Sequence, residues 1–189
     1  MKLAGGGVLG RHLYAWGDGL YRATLPSLDL QQLDRRTFTA GAALFDGLAL
    51  QHGDELVYWR DGRTERMDTS AAAVDMREAS LLGHRGLLVV HRGMQLRLYE
   101  RPEGNAARWP YRELYSFYTA SEQGGLLIHD VDDDGKPDLI CGNYWVQSPS
   151  DFDLPWRLFA INLYHETPLA ASARLAMWEG RLLLSLIHI

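Results

Sequence analysis

Short apolar runs recur along the whole chain, and each is cut off by a polar step containing glycine. Three stretches, Leu13–Arg22, Leu56–Thr64 and Leu96–Gly104, share one pattern: an apolar and aromatic strand that runs into an acidic residue followed by glycine. Asp-Gly is the strongest short-range hairpin signal, because glycine accepts the positive φ that the tight turn demands. The turn glycines fall at 19, 62 and 104, which are 43 and 42 residues apart. A second series interleaves with the first. It comprises 43–50, 81–90, the pair 126–129 and 138–145, and 175–184, with turn glycines expected at 47, 86, 135 and 180, spaced by 39, 49 and 45.

Two hairpins per period give four strands in roughly 43 residues, the content of one β-propeller blade. A β-sandwich also strings together short strands, but it carries no such period. The expected fold is therefore all-β, a β-propeller with about four blades of four antiparallel strands. The units expected along the chain are a partial blade over 1–35, complete blades over 37–76 and 77–116, a longer blade over 117–166, and a partial blade over 167–189. Incomplete blades at both ends point to a single domain that forms part of a larger ring of about seven blades. A four-bladed ring closed by the two ends of the chain is the alternative.

Composition narrows the function. The chain has 189 residues, is 47% hydrophobic and 11% aromatic, and can bury a core. Its formal charge of -5 argues against a surface that neutralises nucleic acid or anionic lipid. No apolar run approaches the roughly 20 residues of a membrane helix. Met1–Gly7 lacks the apolar stretch of a signal peptide. The single cysteine, Cys141, excludes an intrachain disulfide and reads as a buried, inert thiol.

The richest chemistry lies in Asp130-Val131-Asp132-Asp133-Asp134-Gly135-Lys136-Pro137-Asp138, between two apolar runs. Carboxylates at the first, third, fifth and ninth positions repel one another, and a curled loop can aim them at one centre where a hard cation relieves the repulsion. Calcium suits such a set. Magnesium needs a stricter octahedron, and zinc prefers nitrogen or sulfur. Gly135 allows the sharp turn, and the carbonyl of Lys136 falls at the seventh position. An EF-hand is excluded, because its twelfth position would need Glu and here holds Cys141, and because the flanks read as strands.

The stretch from His129 to Pro149 resembles an FG-GAP or VCBS-type repeat, the calcium-loop blade of integrin-like propellers and of many bacterial secreted or surface proteins. The resemblance implies that Asp130, Asp132, Asp134 and Asp138, with the Lys136 carbonyl, are calcium ligands. It also implies an extracytoplasmic, noncatalytic module that binds a protein or carbohydrate. The family commonly has glycine where Asp133 stands. The other blades lack the carboxylate set and are expected to bind no calcium.

Further candidates are weaker. Asn143, Tyr144 and Trp145, with Trp156 and Arg157 downstream, could stack on a sugar ring, or could fill gaps between blades. The Cys141–Trp145 context also resembles propeller sugar lyases of the aldos-2-ulose dehydratase type, which keeps a carbohydrate-active enzyme as the alternative. His52, His91 and His129 recur at similar phases and read as strand-end hydrogen bonders. His165 and Glu166 could pair as a base and its orienter. No nucleophile elbow, P-loop, dinucleotide fingerprint or zincin motif is present.

Overall fold

The computed structural model describes residues 2–69, 73–104, 106–117 and 125–161, together with the backbone of strands 173–178 and 181–186. The first sheet is β1 (Leu3–Leu9), β2 (His12–Gly17), β3 (Leu20–Thr24) and β4 (Leu30–Asp34). The second is β5 (Ala40–Leu44), β6 (Gly47–His52), β7 (Glu55–Arg60) and β8 (Arg63–Asp68). The third is β9 (Ala73–Leu81), β10 (His84–His91), β11 (Gln95–Glu100) and β12 (Tyr111–Ser116). The fourth is β13 (Leu126–His129), β14 (Asp138–Cys141), β15 (Tyr144–Gln147) and β16 (Arg157–Ala160). A hairpin of β17 (Ala173–Trp178) and β18 (Arg181–Leu186) follows. Each four-stranded sheet is an antiparallel meander in chain order. There is no helix among the described residues, so none is long and apolar enough to cross a membrane.

The first strand of each sheet lies against the first strand of the next: β1 on β5, β5 on β9, β9 on β13, and β13 on β17. Four meanders that share an axis through their inner strands are propeller blades. Backbone and carboxylate bonds tie neighbours together. The Phe38 amide donates to the Gly17 carbonyl at 2.7 Å, the Phe45 amide to Glu78 at 3.3 Å, and the Leu126 amide to Asp75 at 2.9 Å.

Apolar residues of successive sheets fill the spaces between them. Tyr14, Trp16 and Leu20 pack on Leu48, Leu50, Val57 and Trp59. Leu44, Leu56 and Tyr58 meet Leu87, Val89 and Tyr99. Leu88, Val90 and Leu98 meet Leu139, Cys141 and Val146. Alternation along each middle strand sends one residue forward and the next back, which is why these strands are apolar throughout.

The inner strands of the first two sheets are small where they close on Trp16. A Cβ on Gly5 would sit 2.7 Å from the Trp16 Nε1, and one on Gly41 would sit 2.9 Å from the Trp16 Cε2. The indole is thus wedged between β1 and β5. Beside it opens a cleft of about 490 Å³ between β1, β5 and β9, lined in part by Trp16, Asp75, Arg77 and Glu78.

Several details differ from the sequence expectation. The stretch 1–35, expected as a partial blade, carries four strands, because the glycine-rich Leu3–Leu9 pairs with β2 around a Gly10-Arg11 turn. Residues 73–76, expected in the second blade, belong to β9 of the third sheet. Asp18-Gly19 joins second to third strands, whereas Asp61-Gly62 joins third to fourth, so the first two members of that series are not equivalent. Glu103-Gly104 lies in a longer connection between β11 and β12. The β9–β10 turn is Leu82-Gly83, with φ of 48° and 89°, and Gly86 lies inside β10 opposite Glu100. The expected turn at Glu179-Gly180 lies outside the described residues.

Candidate metal centre

The acidic loop connects β13 to β14 and is held by its own carboxylates. Asp130 accepts the amides of Asp134 at 3.1 Å and Gly135 at 2.8 Å, which curls the backbone back on its first residue. Two residues make the curl possible with positive φ, Asp133 at 56° and Gly135 at 84°. Asp133 thus takes the left-handed conformation, which after glycine a short polar side chain tolerates better than most.

Asp138, at the start of β14, is fully buried. One of its oxygens accepts the Ser148 amide at 2.7 Å, and the other accepts the Trp145 indole N–H at 2.9 Å and the Val131 amide at 3.3 Å. The tight turn at Gly142-Asn143 sets this register, since it places Val146 opposite Leu139 and so brings 147 and 148 back beside 137 and 138. Gln147 donates to Asp132 at 2.5 Å, and the Ser148 hydroxyl donates to the Pro137 carbonyl. The sequence reading missed the supporting roles of Gln147 and Ser148. The signal that reveals them is the hairpin turn.

Carboxylate oxygens of Asp130, Asp132 and Asp138 lie within 4.8 Å of one another, the one such cluster of potential ligands among the described residues. Asp134 is not in this group. It forms an ion pair with Lys136 Nζ and accepts the Lys136 amide at 2.9 Å. The Lys136 ammonium holds the Asp134 carboxyl below its ordinary range, and Asp134 in turn raises Lys136. The donor set is oxygen throughout, which fits a hard cation and not zinc.

The structure does not place Asn143, Tyr144 and Trp145 on one surface. Asn143 is buried, and Tyr144 packs edge-on against Phe117 at 4.9 Å between ring centroids. Trp145 points to the opposite face of β15 and stacks on Phe159 at 4.7 Å. Trp156 is buried against Phe152. Cys141 is fully buried, and burial pushes its thiol up, with the Asp75 charge adding to the effect.

Two of the described histidines bond at strand ends. His52 bonds the Thr37 carbonyl at 2.8 Å, and His91 lies buried with its Nε2 2.9 Å from the Tyr99 hydroxyl. Both end second strands, whereas His129 ends a first strand, so the apparent common phase of the three breaks at the last. His165 and Glu166 lie outside the described residues.

No protein-family model and no curated protein matches the chain. Among solved structures, it is similar to the N-terminal domain of Nup159, with a TM-score of 0.47 and 10% identity over 97% of this chain and 47% of that one. The chain spans about half the length of that structure.

Proposed function

We propose that this chain is a calcium-binding propeller module of FG-GAP or VCBS type, a noncatalytic scaffold that presents its blades to a protein or carbohydrate ligand in an extracytoplasmic setting. The reading rests on one observation above the others: three carboxylates converge within 4.8 Å in a loop whose backbone is curled around the first of them. Like charges so close are costly without a counter-ion. A cation would draw on Asp130, Asp132 and Asp138, with the Lys136 carbonyl completing the family pattern. Asp134 would join on releasing Lys136. An affinity of about 0.1–1 mM, the range of extracellular calcium modules, suits this exposed loop.

Calorimetry with calcium and magnesium tests the proposal. Calcium is expected to bind one site per chain and to raise the melting temperature, by an amount set by ligand excess over Kd. Magnesium is expected to do less. Asp132→Ala and Asp134→Ala are expected to remove most of the response, and a folded wild-type protein that takes up no calcium would rule the reading out.

A further inference from the structure

The cleft between β1, β5 and β9, about 490 Å³, has the size of a small-molecule site. Much of its wall is main chain. Each of the three inner strands pairs on one side only, so alternate amides and carbonyls of the other edge have no strand partner among the described residues. Two side chains add polar hydrogens that the fold does not use. Trp16 is only 4% exposed, yet its indole N–H has no acceptor among the described residues. A Cβ on Gly5 would lie 2.7 Å from the indole Nε1, and Gly5 and Gly41 both line the cleft, so the missing side chains leave that edge of the ring bordering it. Arg77, on β9, is exposed, and its guanidinium makes no ion pair or hydrogen bond among the described residues.

The acidic side chains of the cleft are already engaged. Asp75 accepts the Met76 amide at 2.8 Å and the Leu126 amide at 2.9 Å. Glu78 accepts the Arg85 Nε at 2.8 Å and the Phe45 amide at 3.3 Å, and Arg85 balances its charge. Arg77 is therefore the cation of the cleft that is left to select a guest. A guanidinium holds a carboxylate through two parallel N–H to oxygen bonds, and a further oxygen of the same guest can accept from the indole.

We propose that this cleft binds a small hydroxylated carboxylate of sugar-acid size, with the carboxylate on the Arg77 guanidinium and a hydroxyl oxygen on the Trp16 N–H. The wall suits an oxygen-rich guest, since hydroxyls pair with strand-edge amides and carbonyls that an apolar guest would leave without partners. The cleft is built from other residues than the acidic loop, so the proposal does not depend on calcium and is tested in the presence of a chelator.

Calorimetry on the intact chain with glucuronate, gluconate and glucose, in EDTA and at physiological salt, tests it, with circular dichroism to verify folding. At least one of the two acids is expected to bind at one site per chain. Glucose, which lacks the carboxylate, is expected to bind about tenfold or more weakly. Arg77→Gln is expected to erase the preference for acid over glucose while keeping the wild-type spectrum and melt, since the side chain is exposed. Trp16→Phe removes the N–H and is expected to weaken the acid as well. If that variant fails to melt cooperatively, a change in wild-type tryptophan fluorescence on titration with the acid, absent in Arg77→Gln, takes its place. A folded wild-type chain that takes up neither acid would overturn the proposal, and so would equal affinity in Arg77→Gln. Binding of a glutamate-rich peptide where both acids fail would overturn it too, and would give the cleft to an acidic side chain of a partner.

Discussion

Trp145 and Asp138 are joined by an indole N–H to carboxylate bond of 2.9 Å, so the ninth residue of the acidic loop is anchored to the strand that folds back beside it. The carboxylate that belongs to the candidate cation cluster is also the buried pin of the β14–β15 hairpin. Loop and hairpin are one structural unit.

Asp138→Ala strands three donors, two of them backbone amides, and is expected to destabilise the fold by about 3 kcal/mol, since each buried donor left without an acceptor costs about 1–3 kcal/mol less whatever water recovers. Asp138→Asn keeps an acceptor oxygen and is expected to cost less. Urea unfolding of the two variants in the absence of calcium checks the order, and equal midpoints for wild type and Asp138→Ala would show that the buried bonds contribute nothing.

Asp133→Gly removes a left-handed aspartate from the loop and is expected to stabilise the chain by about 0.5–1 kcal/mol. It takes away no residue of the proposed ligand set, so the calcium-dependent rise in melting temperature is expected to survive. A calcium response lost in Asp133→Gly would place that carboxylate among the ligands.

Gly86→Ala is expected to be worse than Gly41→Ala. A Cβ at 86 would lie 2.1 Å from the Tyr99 carbonyl oxygen, a backbone atom in a paired strand, whereas one at 41 meets side chains of Leu50 and Trp16 at 2.8 and 2.9 Å. Side chains yield more easily than a sheet ladder, and overpacking of the second kind costs about 1–3 kcal/mol. Thermal melts of the pair decide the order.

Asp34 gives a pH dependence with a definite sign. Burial acts to raise its carboxyl, but bonds from the Arg36 guanidinium and amide prevail and hold it below the ordinary range. A carboxyl held low in the folded state adds stability above its unfolded value of about 3.9, and that stability is lost as pH falls through the folded value. Arg36→Gln is therefore expected to lower the urea midpoint at pH 7, with the gap closing as the pH approaches 2. A gap that stays constant with pH would assign the Arg36 contribution to packing.

The four-stranded unit was legible because Asp-Gly and apolar runs encode hairpins locally. Position within the meander was not legible, because Asp18-Gly19 and Asp61-Gly62 carry the same turn signal at different corners of their sheets. The third sheet shows a related limit: Leu82 itself adopts positive φ, so the turn comes earlier than the residue types alone suggest. In the acidic loop the spacing of carboxylates was visible in the chain, but the burial of Asp138 and the partnership of Asp134 with Lys136 arise only when the next hairpin folds back and the loop curls.

In the first two sheets the glycine and alanine of the inner strands, set against tryptophan and leucine in the middle ones, make each sheet a wedge. The contrast in side-chain volume between axis and middle lets these two sheets approach closely at their narrow ends. The spacing of these two sheets is thus written in residue size: enlarging Gly5 or Gly41 pushes against the Trp16 indole and forces the narrow ends apart, a strain that falls on the junction and not on the β1–β2 or β5–β6 ladders.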